Sequence, residues 1–195
     1  MNFLKRLFNI PIQDEDSEIE KQEVNLSLDD LFVHNFVKKG GKFLYCLNTD
    51  EVIENLKKVL LENDWDEVYL LDEKLASLFD INKVRRIYKF NDNTPILSSC
   101  EHLIADNGDI LFSSNQLRST KLREFSENFI VYASTSQLVK DTGQGLTGIK
   151  TNNIASLPTN ISALKNYIIN NNDDNFLNYG NSNSKNLYLL LLEDL

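Results

Sequence analysis

Three neighbouring residues, Cys100, Glu101 and His102, bring together a nucleophile, a carboxylate and a base. Were they in a strand, Cys100 and His102 would share one face and Glu101 the other. Side chains spaced that way sit ~7 Å apart, beyond hydrogen-bond reach without a bend. The pattern fits a buried cysteine beside an incidental histidine better than a catalytic pair. His34, the other histidine, falls mid-helix among Phe32, Val33 and Phe36 and reads as structural. Two histidines without HxxxH or HxH spacing, and no cysteine pair, make a metal centre of protein side chains unexpected. Paired carboxylates at Asp29-Asp30, Asp173-Asp174 and Glu193-Asp194 fall at helix starts, loops or the chain end, where water solvates them.

Gly143-Gln144-Gly145-Leu146-Thr147-Gly148 spells GxGxxG. Dinucleotide chemistry needs those glycines directly after a strand, opening a helix onto the pyrophosphate, with an acidic residue ~20 positions on. Here residues 136–141 intervene and no convincing strand carries that acid, so a glycine-broken helix is expected and no cofactor is implied. A richer set is Ser98, Ser99, Ser113, Ser114, Asn115 and Gln116, with Arg118 and Lys121 nearby. Hydroxyls, amides and one or two cations near strand ends hold a carboxylate or phosphate through neutral donors plus charge. Pro158-Thr159-Asn160-Ile161 reads as a helix opening, whose free N–H groups favour anions.

Those residues must be positioned by a chain of 195 residues, enough for one domain with a tail. A chain of this size buries a sizeable core without disulfides or metals. Cys46 and Cys100 lack CxxC spacing, so no disulfide framework, structural zinc or self-contained iron–sulfur cluster is expected, and free thiols without a signal peptide suggest the cytoplasm. No apolar run reaches the ~20 residues of a membrane span. Net charge is −9, which repels phosphate backbones, and the modest basic cluster of Lys83, Arg85, Arg86 and Lys89 matches no nucleic-acid motif. Nucleic acid is therefore not an expected partner.

Residues 1–10 place Phe3, Leu4, Leu7 and Phe8 on one face of a short helix, flanked by Lys5 and Arg6, which suits packing on its own domain or on the twin subunit of a homodimer better than docking or anchoring at a membrane surface. Residues 11–26 read as an acidic linker, and 27–195 as the globular unit. Ser27 caps a helix with Leu28, Leu31, Phe32 and Phe36 on one face, ended by Gly40-Gly41. Strands are expected at 42–46, 67–71, 86–90, 95–100, 129–133 and 186–192, and helices at 51–63, 73–79 and 161–170, with a broken one at 136–150. Residues 171–185 read as a loop. Asn107-Gly108 between apolar runs predicts a β-hairpin with a type I′ turn, both of whose central residues need positive φ. Strands alternating with helices predict an α/β fold: three α/β/α layers, a mostly parallel sheet and one inserted hairpin.

The order of these pieces resembles the LUD domain, the lactate-utilisation protein C family. Ala105-Asp106-Asn107-Gly108-Asp109 is similar to its glycine-bearing hairpin, with Asn107 and Asp109 where threonines are usual. The link at 118–128 into the strand at 129–132, the Leu157-Pro158-Thr159-Asn160-Ile161 segment and the last strand follow in family order, across residues 28–193. The resemblance implies a sheet like that of the sugar-phosphate isomerase and CoA-transferase superfamily. It also implies an accessory or ligand-binding subunit in oxidation of L-lactate to pyruvate beside iron–sulfur partners. Ser99, Asp106, Asn107, Gly108, Ser113, Asn115, Pro158, Thr159 and Asn160 would then line a pocket for a small organic acid or phosphate. Two alternatives stay open. One is an isomerase or acyl-transferase acting on a phosphorylated or CoA-linked substrate, with Glu101 or Asp109 as base or nucleophile. The other is an interaction module recruiting partners through its first residues and linker.

Overall fold

The computed structural model describes residues 26–78, 85–118, 120–168 and 184–194. The amphipathic segment at 1–10, residues 11–25 of the acidic linker, Lys83 and the loop at 171–183 lie outside them. Helix α1 (Leu28–Lys38) begins where the Ser27 hydroxyl accepts from the Asp30 N–H, beside first-turn Asp29 and Asp30 that suit the helix dipole. It ends in a Schellman motif: Gly41 N–H reaches Phe36 O, Gly40 N–H reaches Val37 O, and Gly40 sits at φ +88°. Phe32, Val33 and Phe36 are its buried face, while Leu28 and His34 are exposed.

Strands β1 (Lys42–Cys46), β2 (Glu67–Leu70), β3 (Arg85–Ile87), β4 (Ile96–Ser99), β7 (Asn128–Ser134) and β10 (Asn186–Leu192) form a six-stranded sheet in the order β1-β10-β7-β4-β2-β3. Every pairing in it is parallel. β10 lies inside the sheet between β1 and β7 and is covered on both faces, which explains its unbroken apolar run. Phe129, Val131, Leu187 and Leu189 pack toward α1, while Ile130, Tyr188 and Leu190 pack on the opposite face. That second face is covered by α2 (Thr49–Glu62), capped by the Asn48 side chain and presenting Val52, Leu56, Val59 and Leu60 at helical spacing. A single turn, α3 (Leu75–Leu78), follows β2.

β4 leads into β5 (His102–Ile104) and β6 (Asp109–Ser113), an antiparallel pair that is extended into a second sheet of order β8-β5-β6-β9 by β8 (Leu138–Val139) and β9 (Ile161–Leu164). With α1 this sheet covers the first face, and α5 (Thr142–Asn152) packs outside it through Ile149 against Ile104 and Leu111. A short helix, α4 (Ser114–Leu117), continues from β6. The α/β/α layering and mostly parallel sheet are as the sequence predicts. The inserted hairpin forms the middle of a four-stranded sheet.

Three local expectations change. Residues 161–164 are strand, not the start of a helix, because β6 offers an open edge that takes their backbone bonds. The glycines at 143, 145 and 148 do not break α5, which Asp141 caps and which runs unbroken to Asn152. Gly145 and Gly148 let it approach closely: a Cβ on either would lie 2.9 Å from Leu111 or 2.6 Å from His102. The hairpin loop is four residues, 105–108, with Gly108 alone at positive φ (+69°), so it is no type I′ turn.

Candidate functional site

The carboxyl ends of β2, β4 and β7 open onto a cleft of about 650 Å³, where ligands of parallel α/β sheets characteristically sit. Asp72 and Lys74 follow β2, Ser99 ends β4, Glu101 lies between β4 and β5, and Tyr132 lies on β7. Asn115, Gln116 and Arg118 come from α4 and its cap, with Gln137 and Asn153 completing the rim.

A hydrogen-bonded arc fixes most of these groups. The Ser99 hydroxyl donates to Asp72 Oδ2 at 2.5 Å and accepts from Gln116 Nε2 at 3.3 Å. Gln116 Oε1 in turn accepts from Ser113 N–H, the capping box that starts α4. The Ser113 hydroxyl donates to Glu101 Oε1 at 2.5 Å. Asp72 Oδ1 accepts from Lys74 N–H. Gln137 Nε2 donates to Cys100 O at 2.6 Å and Glu101 O at 3.2 Å, while its Oε1 accepts from Ser134 N–H. The turn carrying Gln137 is clasped by Asp194, which accepts from the Thr135 hydroxyl and from both N–H and hydroxyl of Ser136. Against partial desolvation, these bonds hold the Asp194 carboxyl down to about 2.

The structure divides the sequence-predicted residues. Ser99 and Asn115 line the cleft, and Ser113 stands buried behind it. Asp106, Asn107 and Gly108 do not reach it. Their turn docks on α1, where Asn35 Nδ2 donates to Ala105 O and Asp106 O, and the Tyr167 hydroxyl donates to Gly108 O at 2.6 Å. A Cβ at Gly108 would fall 2.5 Å from Phe36 N, so that contact is backbone against backbone. Pro158, Thr159 and Asn160 are no helix opening: Thr159 N–H donates to the Ser114 hydroxyl at 2.9 Å and Asn160 O accepts from Ser114 N–H. In the antiparallel β6–β9 register, Ser113 faces Ile161 and Ile110 faces Leu164. The turn and the 158–160 segment thus sit at opposite ends of this sheet, roughly 15 Å apart by strand rise. They do not frame one pocket.

Cys100 is buried, and desolvation with the neighbouring Glu101 charge pushes its thiol well up, against nucleophilic use. His102 Nδ1 meets Gln137 O at 3.2 Å and its ring abuts Gly148, so it packs rather than pairs with Cys100. Asp109 is buried and ion-paired with Lys39 at 2.6 Å. Asp72 and Gln137 escaped sequence reasoning, although Asp72 follows a parallel strand's carboxyl end, a position worth flagging. Among the described residues no group of three or more His, Cys, Asp or Glu could hold a metal, and no helix is long and apolar enough to cross a membrane.

Arg118 stands apart. It adopts φ 58° and ψ −131°, a conformation that favours glycine, yet it carries the longest side chain on the rim. Among the described residues it makes no ion pair.

No family model matches the chain, and neither does any curated protein. Among solved structures it is similar to a DUF162 family protein from Deinococcus radiodurans, with a TM-score of 0.59 at 12% identity, covering 86% of this chain and 99% of that one. DUF162 is the LUD domain family, and the likeness is one of fold.

Proposed function

We propose that this chain is a small-molecule-binding protein of LUD type, holding a small organic acid in the cleft at the carboxyl ends of β2, β4 and β7. The observation that carries the reading is Arg118, held in a glycine-type backbone conformation on the rim of that cleft. Backbone strain of this kind costs about 1–3 kcal/mol and persists at functional sites. A guanidinium is the side chain best shaped to grip a carboxylate through two parallel bonds. Of the other charges in the cleft, Glu73 pairs with Arg86, and Asp72 accepts from the Ser99 hydroxyl and the Lys74 N–H. In this reading the chain serves as an accessory or ligand-binding subunit in oxidation of an organic acid such as L-lactate, beside iron–sulfur partners. The family resemblance supports that setting, and the DUF162 likeness agrees with it in fold. Calorimetric titration with L-lactate, pyruvate, a sugar phosphate and CoA tests it. Heat is expected with the organic acids and is lost in Arg118→Gly; no heat with any of the four contradicts the reading.

A second reading is an acyl-transferase using Glu101, and one observation favours it: this carboxylate lines the cleft, whereas Asp109 is buried in its ion pair. In that reading the Glu101 carboxylate attacks the thioester carbonyl of an acyl-CoA and the CoA thiolate leaves, so incubation followed by mass spectrometry would show an acyl adduct on Glu101 with release of free CoA if the reading holds, and an unmodified Glu101 if it does not.

A further inference from the structure

Part of the cleft wall is apolar. The Ser99 hydroxyl stands between two flanks, donating to Asp72 on one and accepting from Gln116 on the other. On the Gln116 flank, α4 ends at Arg118. On the Asp72 flank, Leu71 and Leu75 line the cleft, while Asp72 and Glu73 between them are bonded within the protein. Tyr132 is the register partner of Ser99 and packs in the apolar cluster that holds Leu75. Cys100 and Leu71 belong to the cluster on the other face of the sheet. Both halves of the core therefore surface in the cleft, where the strands end. Burial and the Glu101 charge push the Cys100 thiol up, so it stays neutral and walls the cleft as a small apolar group. The volume of about 650 Å³ falls within the roughly 300–1,000 Å³ that houses ligands of drug size. A three-carbon acid held at Arg118 fills little of it and leaves this apolar wall facing water.

We infer that the acid bound here carries an apolar tail, with its carboxylate on Arg118 and its chain passing Ser99 onto Leu71, Leu75 and the Tyr132 ring. This rests on the organic-acid reading above and adds the body of the ligand: a medium-chain aliphatic monocarboxylate rather than a three-carbon acid. Glu101 sets the direction. Its Oε1 is held by the Ser113 hydroxyl, Oε2 has no partner among the described residues, and its charge turns an anionic end away toward Arg118. Each CH₂ group that leaves water for the apolar wall is worth roughly fourfold in affinity. Leu71 and Leu75 are already fixed by core packing, so little side-chain freedom is lost when a chain lies on them.

The test is a titration of the full chain with acetate, butyrate, hexanoate and octanoate, the last kept below the concentration at which it self-associates. Amide and leucine methyl chemical shifts read the binding. Affinity is expected to climb roughly fourfold per CH₂ along the series. The methyl groups of Leu71 and Leu75 should move with octanoate and stay still with acetate. In Leu75→Ser, octanoate should fall toward butyrate; the parent series and its methyl shifts decide the matter even where that variant does not fold. Equal affinity along the series, or a climb with the Leu71 and Leu75 methyls silent, overturns this inference and leaves the organic-acid reading standing. Failure of every acid to bind, L-lactate included, overturns both.

Discussion

The two ends of the molecule use similar residues to opposite purposes. At the closed end, the 105–108 turn sits on α1, Lys39 pairs with Asp109, and Tyr167 donates to Gly108. Lys185 joins the same end, its N–H bonded to Asn166 O and its ammonium to Phe125 O. Polar groups there are spent on the protein itself. At the open end, Glu101 and Arg118 keep binding capacity, and the second pays in backbone strain for its place. Polarity alone marks neither a site nor a scaffold. What distinguishes the two is whether the partners are already supplied from within.

Breaking the closed end should cost stability. The largest effect is expected from Gly108→Val, which sets a β-branched residue at positive φ against the Phe36 backbone. We expect a loss of about 4 kcal/mol or failure to fold, measured by urea denaturation. Next, Lys39→Met leaves Asp109 buried without its cation, and should cost about 2 kcal/mol, a value reduced because the lysine is partly exposed.

Lys185 gives the closed end a pH signature. Burial lowers its ammonium from 10.5 to about 8, although Glu127 and Asp92 pull it upward. Between those values the unfolded chain holds a proton that the folded chain has released. The penalty is therefore full below pH 8 and fades as pH rises. Relative to Lys185→Met, the parent should gain roughly 2 kcal/mol in urea unfolding between pH 7 and pH 10. A constant difference between the two proteins over that range would contradict the buried-charge account.

How far was this division legible in the residues? The helical faces of α1 and α2 and the apolar runs of β7 and β10 were, because one face or both must be buried whatever the neighbours are. Residues 161–168 were not. Ile161, Leu164 and Ile168 recur at helical spacing, and only the open edge of β6 makes 161–164 a strand. The positive φ at Gly108 could be read locally, but the burial of its rim depends on α1, 70 residues earlier in the chain from Asn35 to Ala105. Ser99 and Asn115 were found from polarity near strand ends, whereas Asp106 and Asn107 came from the hairpin's similarity to the family's, and their turn docks on α1 at the other end of the second sheet. Asp72 was open to flagging from its place after β2, whereas Gln137 emerges as a cleft residue only once the order of the parallel strands brings β2, β4 and β7 together.

The smallest stability change, and the most informative in sign, is Arg118→Gly at the open end. Removing a side chain from positive φ should stabilise the fold by about 1 kcal/mol after allowing for glycine's greater freedom when unfolded. The same change should abolish acid binding. A variant that is both less stable and still binding would show that Arg118 serves the fold.

The central claim, that the ligand sits at the open end and the turn is scaffold, is tested most directly by mapping amide chemical shifts during an L-lactate titration. The account predicts that Glu101, Gln116 and Arg118 move together while Asp106, Asn107 and Gly108 stay still. Movement confined to 106–108, with the cleft silent, would contradict it.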